Sequence, residues 1–229
     1  LKLGNCDDKR CVAPTTCKTL RPTHKPQIDL LKKLRSIEGV KKVFVASGIR
    51  YDMVLDDKQY GDEYLREIVE YHTSGQLKIA PEHSEDSVLE LMGKPGKRYL
   101  TDFRDKFYKY SNAIGKNQFL TYYMIAAHPG CTEKEMYKLK EFTSEKLHIS
   151  PEQVQIFTPT PSTYSTLMYY TELNPFTGNN VFVEKDINKA IKQKEIATAK
   201  REKIFLDKSS SKSKYIKNNG KKKSRRHSK

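Results

Sequence analysis

Three cysteines near the start of the chain, Cys6, Cys11 and Cys17, have the spacing C-x4-C-x5-C. Thiolates this close suit zinc or an iron–sulfur cluster, and outside an oxidising compartment such a group is more often metal-binding than disulfide-forming. The spacing matches no standard zinc signature, so free or buried thiols are the other reading. A second group follows an apolar run: Glu82 and His83 close "QLKIAPEH". A carboxylate there can accept hydrogen bonds from ribose hydroxyls, and the imidazole can donate to a carboxylate. The plainer alternative pairs Glu82 with a nearby lysine. A third group is the corner His128-Pro129-Gly130-Cys131 in "YYMIAAHPGCTEKEM". Gly130 permits close backbone approach and Pro129 fixes a turn, which leaves His128 as the residue the corner does not require. Cys131 has no ligand at a useful spacing and reads as incidental. Ser47, Gly48 and Arg50 end another apolar run. A guanidinium forks onto a carboxylate, so Arg50 suits either an anionic cofactor group or a structural pair with Asp52 or Asp56. Thr158 opens the Pro-rich "TPTPSTYST", beside tyrosines Tyr164, Tyr169 and Tyr170 that either line a pocket or pack on the rim.

These residues need elements to hold them. Lys41–Ser47, Gln76–Ala80, Phe119–Ile125 and Gln153–Phe157 are short apolar runs and read as four buried strands. Helical patterns lie between them: "QIDLLKKLRSI" after Pro26, "YGDEYLREIVEYHT", a segment from about Thr101 to Lys116, and one opened by Thr132 and Glu135 at capping-box spacing. Ser84 is the expected N-cap of "EDSVLELM". This alternation predicts βαβ units and a parallel sheet, in which ligands bind beyond the carboxyl ends of the strands. Every candidate above except the three N-terminal cysteines sits just after a strand. A charged helix is expected from about Asp186 to Leu206.

The 229 residues carry a net charge of +15. Two thirds of that excess sits in Lys208–Lys229, which holds ten Lys or Arg and no acid. With almost nothing apolar to bury, this tail is expected to be disordered and either contacts nucleic-acid phosphates non-specifically or only aids solubility. No apolar run reaches the roughly 20 residues of a membrane span. The expected location is cytoplasmic.

"LKIAPEHSEDSVLELMGKP", then "YYMIAAHPGCTEKEM", then "QIFTPTPSTYSTLMYYT" resemble, in that order, the later strands of radical S-adenosylmethionine barrels, and specifically the YgiQ-type proteins. "CDDKRCVAPTTC" and "PFTGNNVFVEKD" are similar to that family as well. The resemblance implies an α/β fold: a partial (β/α) radical S-adenosylmethionine barrel over residues 27–168, later strands only. A Cys-containing segment would precede it at 1–26. A family-specific helical extension would follow at 169–207, then the basic tail at 208–229. It implies S-adenosylmethionine and a 4Fe–4S cluster as cofactors of a full-length enzyme. Ser47, Gly48, Arg50, Glu82, His83, His128, Pro129, Gly130 and Thr158 would face the nucleoside. Cys6, Cys11 and Cys17 are the candidate ligands of an accessory metal or second cluster. The family's C-x3-C-x2-C cluster loop has no counterpart here. With Leu1 opening the chain, the expectation is a C-terminal portion of a longer enzyme that does not cleave S-adenosylmethionine alone, on an unknown substrate. Two alternatives belong to other classes: a nucleic-acid-binding module using the basic tail, and a small structural metal-binding protein.

Overall fold

In the computed structural model, residues 11–13 and 15–199 are described. Cys6 and the basic tail at 208–229 lie outside them, while the last helix, expected to run to about Leu206, ends at Thr198 with Ala199 off the helical backbone. Helix α1, Lys25–Arg35, has Pro26 in its first turn, where the missing N–H costs nothing, and buries Ile28 and Leu31. Helices α2 (Tyr51–Asp56) and α3 (Gly61–Glu67) follow, and a π turn, Ile68–His72, continues α3. A Cβ at Gly61 would overlap the Val54 carbonyl, so these two helices approach as closely as they do only with glycine there. Then come β1 (Gln76–Glu82), α4 (Asp86–Met92), α5 (Lys97–Ala113), β2 (Phe119–Ala126), α6 (Glu133–Phe142), β3 (Gln153–Ile156), α7 (Tyr164–Thr171) and α8 (Ile187–Thr198).

The fold is α/β, with one three-stranded sheet in the order β1-β2-β3, parallel throughout. Register pairs Leu77 with Leu120, Ile79 with Tyr122 and Met124 with Val154. These residues share one face and are buried under Val88, Leu100, Phe103, Phe107, Met136 and Leu139 from the crossover helices. The opposite face carries Lys78, Thr121, Tyr123, Gln153 and Gln155, all partly or fully exposed. Parallel sheets are ordinarily covered on both faces. This one is a partial β/α layer whose second face is open among the described residues.

The structure corrects two expectations. Lys41–Ser47 is extended but forms no ladder strand. Its polar backbone is used elsewhere: the Val43 carbonyl accepts from His72 Nδ1 at 2.7 Å, and the Val45 amide donates to the His72 carbonyl at 2.8 Å. Only the Lys78 amide, donating to Ala46 at 3.2 Å, links the segment to β1. Ser84 does not cap α4. Glu85 holds the N-cap position without a side-chain bond, and Ser84 Oγ is buried with no partner.

Other local signals hold. Asp186 caps α8 through the Asn188 amide. Thr132 and Glu135 form a reciprocal capping box on α6, with the Thr132 amide 3.1 Å from Glu135 Oε2. Thr132→Ala is expected to cost about 1 kcal/mol, and Thr132→Ser almost nothing, read as shifts in the urea midpoint. Equal midpoints for Thr132→Ala and the parent would show that the box adds nothing.

Candidate functional site

Parallel pairing brings the carboxyl ends of β1, β2 and β3 to one side, so the loops after them adjoin. Beside β1, Gly48 and Arg50 line a recess together with Ala80 and Lys94. Arg50 forks onto Asp52, with Nε 3.1 Å from both carboxylate oxygens and Nη2 3.0 Å from Oδ2. Its Nη2 also donates to the Val12 carbonyl at 2.9 Å, which ties the N-terminal segment to this loop. Of the readings open for Arg50, the Asp52 pair is the one present. Ser47 and Gly48 are exposed.

At the end of β1 the ladder register shifts, and Glu82 takes a left-handed backbone with φ +69°. A non-glycine residue held there is strained by about 1–3 kcal/mol, and such residues cluster at binding sites. Glu82 pairs with Lys94 at 2.8 Å, and Lys94 Nζ also lies 3.4 Å from the Ala80 carbonyl. Neighbouring Tyr123 on β2 donates from its hydroxyl to Gln155 Oε1 on β3. Partial burial, and secondarily the Glu82 charge, push the Tyr123 phenol above its ordinary pKa, so it keeps its proton. Lys94 and Glu82 thus set a cation and a carboxylate at the end of β1, while Tyr123 and Gln155 set a bonded phenol and amide on the open face of β2 and β3.

His83 and His128 stand differently. His83 is fully buried. Its Nδ1 accepts from the Glu85 amide at 3.0 Å, so Nε2 carries the proton and faces Cys131 Sγ at 3.5 Å. Burial, with a smaller contribution from His128, lowers the His83 pKa to about 3. His128 donates from Nδ1 to the Pro129 carbonyl and accepts at Nε2 from Ser165, both at 2.8 Å. Burial lowers its pKa to about 4. Both rings are neutral at pH 7, and their nitrogens are occupied by protein atoms.

Cys131 is also buried, which pushes its thiol up to about 12. Gln193 of α8 explains its presence. Gln193 Oε1 accepts from the Ala127 amide at 3.0 Å and lies 3.6 Å from Cys131 Sγ, while Nε2 donates to the Cys131 carbonyl at 3.4 Å. Ala127, like Glu82, has positive φ, at +58°. Gly130 donates to the Phe182 carbonyl at 2.7 Å, and a Cβ at Gly130 would overlap Leu91 Cδ1. Its backbone is left-handed, with φ +86°, so glycine also suits the bend of the corner itself. Thr158 is exposed after β3, its hydroxyl 3.4 Å from the Ile156 carbonyl.

The structure thus brings Gly48, Arg50 and Glu82 to one rim and puts His83, His128 and Pro129 in the interior beside it. Reading only the residues after each strand missed Lys94, Tyr123, Gln155 and Gln193. Tyr123 and Gln155 had a signal: they flank buried Met124 and Val154, the period of a two-faced strand. Lys94, in the loop after α4, and Gln193 had none.

A cluster-binding test falls on the cysteines. Cys11 is exposed, and the Cys17 amide donates to the Cys11 carbonyl at 2.7 Å. Among the described residues no three His, Cys, Asp or Glu side chains are placed to hold a metal ion. Cys6, the third of these candidate ligands, lies outside the described residues. No described helix is long and apolar enough to cross a membrane.

No family model matches the chain. Curated proteins do. A UPF0313 protein of Fusobacterium nucleatum is 61% identical over 201 residues, 88% of this chain and 35% of that protein. UPF0313 proteins of Clostridium perfringens and Clostridium botulinum are 43% identical over 198 residues and 48% over 185. These matches cover 84% and 81% of this chain, and 30% and 28% of the relatives. The chain is therefore similar, over more than four fifths of its length, to one stretch of the UPF0313 proteins, and it spans about a third of their length.

Proposed function

We propose that the chain is the nucleoside-facing portion of a radical S-adenosylmethionine protein of YgiQ type. The observation that carries this reading is the Lys94–Glu82 pair at the end of β1, whose charge reaches the bonded Tyr123 and Gln155 on the open face of an all-parallel sheet. The ordered motif resemblance supports it too, as does the similarity to one stretch of longer proteins. Glu82 is suited to accept hydrogen bonds from a ribose diol, and the Tyr123 hydroxyl and Gln155 amide can complete its polar partners. Lys94, which lines the recess, suits a carboxylate. When bound, S-adenosylmethionine would supply a sulfonium whose reductive cleavage gives a carbon radical for hydrogen abstraction. No step through a cluster is assigned to these residues.

Titration calorimetry of the chain with S-adenosylmethionine tests the reading. Binding is expected, and Glu82→Gln should weaken it by about tenfold, as the loss of a charge-assisted hydrogen bond does. No heat of binding by the parent at millimolar cofactor would overturn it. So would unchanged affinity in Glu82→Gln.

A further inference from the structure

Below the strand ends, the open face of the sheet holds a cavity of about 220 Å³ whose lining includes Phe44, Ser47, Ser74, Gln76, Lys78 and Thr121. Three segments build it. Register sets Lys78 of β1 directly opposite Thr121 of β2, so both side chains leave the same face. The Lys78 amide donates to the Ala46 carbonyl at 3.2 Å, which lays the extended residues 44–47 beside β1. Ser74, just before β1, closes the lower side. The chemistry of this lining is one-sided. Lys78 is partly buried, and among the described residues no carboxylate lines the cavity. Lys94, by contrast, is matched by Glu82. Among the described residues, Lys78 Nζ, the three hydroxyls and the Gln76 amide have no partner within the protein. An ammonium that has lost part of its water gains from an opposite charge set beside it.

We propose that this cavity binds the phosphoryl group of a small phosphorylated molecule. A cation with no acid beside it calls for an anion. An ammonium is a point charge whose three donors serve oxygens in any direction, whereas a carboxylate is best matched by the planar fork of an arginine. Three hydroxyls and an amide around Lys78 can donate to the several oxygens of a tetrahedral group. The cavity is smaller than the about 300–1,000 Å³ of sites that enclose a whole drug-sized ligand, so it takes one end of its ligand. Phe44, half exposed at the wall, offers an apolar surface to the carbon part. Lys78 precedes Glu82 by four residues on β1, a distance of about 13 Å. A molecule anchored at Lys78 therefore extends up the open face toward the nucleoside-facing rim. In that respect the inference rests on the reading above and names the substrate class, a phosphorylated small molecule; the anion site itself stands without it.

The test is titration calorimetry of the full chain with phenyl phosphate, without S-adenosylmethionine, at about pH 8, where the phosphoryl group carries close to two charges. The parent should bind it, and inorganic phosphate should compete. Lys78→Gln should weaken binding by about tenfold, as the loss of a charge-assisted hydrogen bond does. Thr121→Val, of nearly the same shape, should weaken it by about fivefold. Both variants keep every other cation of the chain, so the difference from the parent reports the cavity and not the overall charge. Both are expected to keep the parent's urea midpoint, which separates lost binding from lost folding. Unchanged affinity in either variant would overturn the site, as would no heat of binding by the parent at millimolar phenyl phosphate. Benzoate bound as tightly as phenyl phosphate would overturn the assignment to a phosphoryl group. Binding of phenyl phosphate by a chain that takes up no S-adenosylmethionine would sink the nucleoside reading and uphold the anion site.

Discussion

Lowering the pH from about 7 to 5 is expected to remove about 2–4 kcal/mol of folding stability. The cause is the buried pair His83 and His128. Burial holds their folded pKa values near 3 and 4, below the ordinary 6.5 to which both rings return on unfolding. Between those limits the unfolded chain binds protons that the folded chain refuses. The stabilising contribution is therefore complete above the unfolded pKa and is lost as pH falls below it. Each unit of separation is worth about 1.4 kcal/mol, so each ring contributes about 2 kcal/mol by pH 5. Glu135, whose charge acts on His83 in the opposite sense, is the smaller influence. The carboxylates Asp57 and Glu135 have lowered pKa values and act only at lower pH. Urea denaturation at several pH values would measure the slope. A His83→Gln/His128→Gln variant should be less stable at pH 7 but nearly flat down to pH 5. A parent as flat as the variant would show that the rings do not resist protonation in the folded state.

Gln193→Leu is expected to destabilise the fold by about 2–4 kcal/mol. The substitution keeps the side chain's bulk and removes its polar atoms. The Ala127 amide and the Cys131 carbonyl would then be buried without the partners they have now. An unpaired buried backbone group costs about 1–3 kcal/mol, against about 1 for an ordinary hydrogen bond. Amide exchange adds a local reading: Ala127 should lose protection before the core of β2 does. Gln155→Leu, on the open face, is the control and should stay within about 0.5 kcal/mol of the parent. If Gln193→Leu also stayed within that range, α8 would not be what holds the corner.

The sequence by itself determined most of the local elements and their order, though not α7, which lies in and just after the Pro-rich stretch. Pro26 placed the start of α1, Thr132 and Glu135 wrote the cap of α6, and Asp186 opened α8. Apolar runs spaced by helical patterns determined a parallel sheet, and with it the end at which the loops gather. Such signals are legible because they are set by neighbours within a few residues. Choices between partners far apart in the chain were decided only in the tertiary structure. Arg50 takes Asp52, and Glu82 takes Lys94. The segment at 41–47 has the composition of a strand. His72, about thirty residues away, takes its hydrogen bonds instead. The corner at 128–131 shows the division most fully. Its turn residues explain the bend. Cys131, which local spacing left without a role, is placed by Gln193 some sixty residues later and by His83 nearly fifty earlier. Hydrophobic burial brings those three segments together, and once water is excluded each polar atom must find its partner among whatever the packing sets beside it.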